Sequence, residues 1–443
     1  MRKLYNYIIV LLKTAFSGGR LYLAWISTLA VVFAIGVYAY TVQLRTGLVV
    51  TNMTDQVSWG AYIANFTFLV GLAAGGVMVV IPAYLYKNKA LKQVVWVGEF
   101  LAIASVLMCM LFVTADLGHP GRAWHLIPFV GRLNWPVSIL SWDIIVLSGY
   151  LIINTFLISY AMYSRYHGGH PRRRYYIPIV FVSMFWAVSI HTVTAFLYNW
   201  LGARPFWNSA LEAPRFLVSA FVAGPAFLVL ALQVIDKNTG FRVSKDVING
   251  LRRIMAVMIV VDIFFFASEI FTELYTGSAH AASAIYLLGG LHGRHLLVPY
   301  IWTSVALNVF AAFVFSIPKF ALNRNLLNVA CVAVVVGVWI EKGMGMVIPG
   351  FIPSPLGEMA EYQPSVIEGL VSAGIWAFGL LAFSLSVRVG AEIERGSLHA
   401  EGVTPVDDHY APVPKEPAGQ AVASMQAEDA LPAAAVAREE GAL

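Results

Sequence analysis

The sequence has 443 residues, 59% of them hydrophobic and only 12% charged, with a mean hydropathy of +0.73; one water-soluble core cannot bury that much apolar surface, which excludes a soluble globular enzyme and requires a lipid-facing exterior. A formal net charge of +5 would suggest nucleic acid in a soluble protein, but here the basic residues sit in short links between apolar runs, so no nucleic-acid partner is expected. The two cysteines, Cys109 and Cys331, each lie inside an apolar run without a nearby partner, which excludes a disulfide framework, a Cys-ligated iron-sulfur cluster and CxxCH haem attachment in this chain.

From the N-terminus, residues 1–20 are too interrupted by Lys and Arg for a signal peptide and predict a retained cytoplasmic lead-in. Ten apolar runs of bilayer-crossing length follow, at 21–42, 59–86, 94–116, 137–163, 176–201, 216–235, 254–275, 296–315, 326–346 and 366–387. Pro82, Pro178 and Pro225 fall inside three of them as potential kinks. With the N-terminus cytoplasmic, the outer links hold only Arg45, Arg122, Arg132, Arg204, Arg215, Arg294 and Lys342 of the 29 Lys and Arg. That bias predicts an even number of spans with both termini cytoplasmic.

The longer outer segments, 119–136, 202–215, 276–295 and 347–364, are rich in Trp, Pro, Gly and His and predict a docking cap. The composition of 396–443 predicts a disordered cytoplasmic tail. The second and sixth spans echo each other, Phe68-Leu69-Val70-Gly71 with Ala74-Gly75 against Phe216-Leu217-Val218-Ser219 with Ala223-Gly224. This echo predicts two parallel four-helix bundles, at about 57–203 and 213–347, with flanking helices.

Of ten histidines only His191 lies within a span, so a bis-histidine b-type haem cannot be built and no metal site is expected. Ionisable groups at membrane depth cost several kcal/mol at the lenient end of the scales, about 3 each, and so mark function. They are Glu99, Asp143, His191, Asp262, Glu269, Glu273, Glu341 and Lys342, with Asp116 at a helix end. Asp116, Asp143, His191 and Glu269 fall in the outer half, where Tyr62 and Asn65 share one face of the second span. Such a set suits a quinone, whose oxygens need hydrogen-bond donors and whose redox chemistry moves two protons. Each residue also has a plain structural explanation: Asp143 and His191 could bond each other, and Tyr62 could be an interfacial belt residue. Glu99, Asp262 and Glu269 could extend the site as a proton relay, and Glu341-Lys342 reads equally as a local ion pair or part of a pathway.

The segment Asp116-Leu117-Gly118-His119-Pro120-Gly121-Arg122-Ala123-Trp124 presents an acid, an imidazole and a guanidinium at the outer surface. Together with Trp59-Gly60 to Gly75-Gly76, Ser138, Ser141-Trp142, His191-Thr192-Val193, Arg204-Pro205-Phe206-Trp207, Trp339-Ile340-Glu341 and Pro349-Gly350, it resembles the NrfD/PsrC family of polysulfide-reductase-type membrane subunits, ten-helix branch. Within that branch the likeness is greatest to the DsrP type found in sulfite-reduction-associated complexes.

The resemblance implies an all-α membrane subunit of a prokaryotic cytoplasmic membrane, with no redox centre of its own and a quinone of menaquinone or ubiquinone type bound near the outer surface. It implies a docked periplasmic ferredoxin-like iron-sulfur subunit, with cytochrome c, cytochrome b and cytoplasmic iron-sulfur subunits as further partners. Carried over by position, the pocket would involve Tyr62, Asn65, Asp116, His119, Arg122, Trp142 and Asp143. Short family members have a His on the second span; this chain has Asn65 and Phe66 there, and His191 is the alternative imidazole. Asp116, His191 and Asp143 are the expected proton-exchanging groups. The rival readings are a proton-coupled secondary transporter and a passive membrane anchor.

Overall fold

The computed structural model describes residues 2–403 except 87, 128, 129, 276 and 278, so the expected 396–443 tail lies outside the described residues from 404 onward. Ten helices among the described residues are long and apolar enough to cross a bilayer. They are preceded by α1 (Arg2–Ala15), whose Leu4, Tyr5, Ile8 and Leu12 are exposed while Tyr7 turns inward against the rings of Tyr163 and Tyr166. In order the ten are α2 (Arg20–Thr46), α3 (Ala61–Tyr84), α4 (Val95–Asp116), α5 (Ile139–Tyr166), α6 (Arg173–Asn199), α7 (Glu212–Asn238) and α8 (Lys245–Tyr275), then, after the short α9 (Ala282–Gly289), α10 (Val298–Ser316), α11 (Arg324–Phe351) and α12 (Val366–Glu394). Helices continue through Pro82, Pro178 and Pro225.

Helices α3, α4, α5 and α6 touch in a closed cycle, and so do α7, α8, α10 and α11. The two cycles meet where α3 packs on α7, and α2 and α12 pair on the flank. Small residues set both crossings. A Cβ on Gly75 would lie 2.5 Å from the Gly224 Cα, and one on Gly36 would lie 2.5 Å from the Gly374 Cα, so the backbones approach as only glycine allows. Helix α12 starts at a capping box in which Ser365 and Glu368 satisfy each other's backbone N–H groups.

The loops 47–60, 117–127 with 130–138, 200–211 and 352–365 form a cap at one end, where Trp207 stacks on Trp59 and meets Phe351 edge-on. The opposite end carries the basic links. Two charges assigned above to the outer links lie elsewhere. Arg215 sits in the first turn of α7, which begins at Glu212, and Lys342 lies within α11; both are buried. The run expected at 216–235 began too late for Arg215, whose helix already starts at Glu212, because this charged first turn is shielded by partners on neighbouring helices rather than by water; Lys342 lies inside the expected 326–346 span and not in a link. The bias of Lys and Arg toward the basic end is stronger for the correction.

Candidate functional site

Helix α4 stops at Asp116 because Leu117 takes an extended conformation and Pro120 opens a 3₁₀ turn running from Pro120 to Leu126. Helix α2 stops at Gly47, whose φ of +86° is one that L side chains rarely adopt. Between these two ends lies a cavity of about 220 Å³, walled by Leu44, Leu48 and Leu117 and reached by Gln43, His119 and Arg122. It sets three leucines beside an amide, an imidazole and a guanidinium.

Buried Gln43 forms the floor. Its Nε2 donates to the Ala115 carbonyl at 2.7 Å, and its Oε1 accepts from the Tyr62 hydroxyl at 2.6 Å. Beside them Asp116 Oδ1 is shut from solvent without a hydrogen-bond partner. Behind, the buried Glu368 carboxylate accepts from the backbone N–H groups of Asn52 at 2.9 Å and Ser365 at 2.8 Å, and from the Tyr362 hydroxyl. Burial, and next the Glu368 carboxylate, push the Tyr362 phenol well above its usual value. Tyr362 also accepts from the Ala61 N–H at 2.8 Å, which fixes the start of α3 over the site.

The structure thus gathers Tyr62, Asp116, His119 and Arg122 at one place and adds Gln43, which sequence reasoning missed. The available signal was a lone amide inside an apolar run, on a helix taken only as a flank. Asn65 is used differently: its Oδ1 accepts from Trp339 Nε1 at 3.0 Å and Trp376 Nε1 at 2.9 Å, and its Nδ2 donates to the Ala61 carbonyl at 2.8 Å. It ties α3 to α11 and α12. Trp142 is on the surface, 37% exposed, donating to the Pro136 carbonyl at 2.9 Å beside Trp135. Asp143 is buried between α5 and α6 and accepts from the Thr194 hydroxyl at 3.1 Å. His191 is wholly buried on α6, and neither ring nitrogen has a hydrogen-bond partner among the described residues. No hydrogen bond among the described residues joins Asp143 or His191 to the cavity, or to each other.

A second polar group lies between α7, α8, α10 and α11. Arg215 pairs with Glu269 and, at 2.8 Å, with Glu341, whose other oxygen accepts from Asn308 Nδ2 at 2.8 Å. Lys342 donates to the Phe216 carbonyl at 3.0 Å and lies 4.1 Å from that ring's centroid. Glu341 and Lys342 therefore do not pair with each other; a π-helical stretch, Trp339–Met344, turns them toward different partners. Glu212, both of whose oxygens lack a hydrogen-bond partner among the described residues, and Asp262, whose Oδ1 lacks one there, complete the group. The space enclosed by Glu212, Arg215, Glu341 and Lys342 is about 10 Å³, room for one water. Glu99 lies apart, in the half of α4 toward the basic end. No group of three His, Cys, Asp or Glu placed to hold a metal occurs among the described residues.

Residues 49–352 match the family described as Polysulphide reductase, NrfD. Three similar proteins are the Hdr-like menaquinol oxidoreductase integral membrane subunit of Archaeoglobus fulgidus, a selenate reductase subunit of Mesobacillus selenatarsenatis, and the menaquinone reductase integral membrane subunit of Nitratidesulfovibrio vulgaris. The first is 26% identical, covering 84% of this chain and 94% of that protein. The second is 24% identical, covering 84% and 93%, and the third 23%, covering 83% and 91%.

Proposed function

The chain belongs to the NrfD family, and from that premise we propose that it is the quinone-handling membrane subunit of a multi-subunit redox complex. The observation that carries this is the cap-end cavity, in which a guanidinium, an imidazole and an amide converge on a leucine-walled space beside a carboxylate with an unpartnered oxygen. Two of the similar proteins are named for menaquinol or menaquinone, which favours a naphthoquinone head group here.

A bound quinol supplies two electrons and two protons, and a quinone takes them up. Arg122 and His119 donate hydrogen bonds to the head-group oxygens, and Gln43 lines the same space. Leu44, Leu48 and Leu117 grip the ring and keep water from its faces. Asp116 holds or releases a proton at Oδ1, next to the cavity. The cysteines and histidines of the sequence offer no cluster or haem ligand set, so the electrons pass to a partner. In the finer reading that partner is a periplasmic ferredoxin-like iron-sulfur subunit seated on the cap, in a sulfite-reduction-associated complex of a prokaryotic cytoplasmic membrane with cytochrome c, cytochrome b and cytoplasmic iron-sulfur subunits.

The transporter reading would use the ionic group between α7 and α11 for proton coupling, and the space enclosed there has room for a single water. The test is purification of the intact complex with quinol-linked turnover measured for the native protein and Arg122→Gln. A rise of tenfold or more in the KM for quinol supports the site, and full turnover with unchanged quinol affinity rejects it.

A further inference from the structure

A second cavity, of about 240 Å³, opens at the basic end between the C-terminal part of α7, the start of α8 and the start of α11. Lys245, Arg324, Gln233 and Asn249 supply its polar lining, and Ile248, Leu322 and Leu327 its apolar one. None of these residues belongs to the cap-end site. Arg324 is held in place: its Nε donates to Gln233 Oε1 at 2.5 Å, and Gln233 Nε2 in turn donates to Asn328 Oδ1 at 2.5 Å. This is its one side-chain bond among the described residues, so both Nη groups remain for a ligand. Lys245 makes no side-chain bond among the described residues.

Position decides the kind of ligand. The cavity lies at the N-terminal ends of α8 and α11, two of the helices long and apolar enough to cross a membrane, and Leu322 on its wall is 56% exposed. Two cations and two amides stand in one cavity beside leucine and isoleucine, at the ends of helices of membrane-crossing length. A free anion would use the first group and leave the second without purpose; an amphiphile uses both. We propose that this cavity binds the phosphodiester of a membrane glycerophospholipid, with Lys245 and the Arg324 Nη groups on the phosphate and an acyl chain leaving past Leu322. Asp236, on the same wall, accepts from the Val243 N–H at 3.1 Å. Asp236 is also paired with Arg242 Nη1 at 4.0 Å, so Lys245 and Arg324 are the cations left for the phosphodiester.

The test is native mass spectrometry of the purified full-length chain after detergent exchange, titrated with dihexanoyl phosphatidylglycerol and separately with inorganic phosphate and glycerol 3-phosphate. Native protein should retain one lipid in a saturable step. Lys245→Gln and Arg324→Gln should each weaken that step about tenfold, the loss of one charge-assisted bond, while Lys319→Gln, a basic-end change outside the cavity, leaves it unaltered. Phosphate or glycerol phosphate binding as well as the lipid would overturn the proposal in favour of a soluble anion site. Equal lipid retention by native protein and the Lys245→Gln/Arg324→Gln double variant would overturn it outright. Folding of each variant is checked by its circular dichroism and gel-filtration profile.

Discussion

The Tyr62 hydroxyl donates to Gln43 Oε1 at 2.6 Å, and Gln43 passes the connection on to the Ala115 carbonyl at 2.7 Å. Three helices are thereby locked under the cap-end cavity by one amide. Gln43→Leu leaves the buried Tyr62 hydroxyl and the Ala115 carbonyl unpaired, at a cost of about 1 to 3 kcal/mol for each unsatisfied group. Quinol-linked turnover should fall tenfold or more along with thermal stability. Tyr62→Phe, which keeps the bond from Gln43 to Ala115, should cost less stability and still lower turnover. Melting temperature and turnover measured on the same preparations separate the two effects: stability lost with turnover intact would reduce the pair to a structural clasp.

Arg122 and His119 stand at the cavity rim and make no side-chain bond to protein among the described residues. Removing either should therefore act on ligand binding and leave the fold alone. For Arg122→Gln the expected change is a rise in KM for quinol of about tenfold to a hundredfold, from a charge-assisted bond of about 1.5 to 3 kcal/mol. The melting temperature should stay where it was. Initial rates across a quinol concentration series check this, and a fall in kcat at constant KM would place Arg122 in the redox step instead of in binding.

The ten spans were legible because each carries about twenty apolar residues, and lipid permits little else at that length. Asp116, His119 and Arg122 could be grouped because they are neighbours in sequence, on one turn. Gln43 could not be joined to them, since nothing in the order of residues says that the end of the first span lies against the end of the third. Depth alone also misled. Tyr62 and Asn65 sit three apart on one helix, yet one bonds the cavity-lining Gln43 and the other bonds two tryptophans from α11 and α12. Arg215 looked like a surface charge for a related reason: its partners Glu269 and Glu341 are 54 and 126 residues away, beyond the reach of any local pattern.

Asn65 gives the clearest separation of architecture from chemistry. Its carbonyl oxygen holds the indole N–H groups of Trp339 and Trp376 together. Asn65→Leu strands two donors, and stability should drop by about 2 to 4 kcal/mol. Tryptophan emission should shift as both indoles lose their acceptor. Quinol affinity in the fraction that remains folded should change little; a loss of affinity comparable to that of Arg122→Gln would show that Asn65 reaches the ligand after all.

The ionic group of the second cycle makes a prediction that depends on how many partners are removed. Arg215 is buried against Glu269 and Glu341, so Arg215→Met leaves two carboxylates facing each other in an apolar interior and should destabilise by about 3 to 5 kcal/mol. Replacing all three, with Glu269→Gln and Glu341→Gln added, removes the stranded charge, and the amides can still take the bond from Asn308. The triple variant should regain most of the lost stability, because a buried ion pair contributes little beyond what its own desolvation takes away. Thermal unfolding of the single and combined variants in one detergent measures the coupling. Additive losses, with the triple variant the least stable of the set, would mean that each charge is held by its surroundings independently and that Arg215 is not the group's common partner.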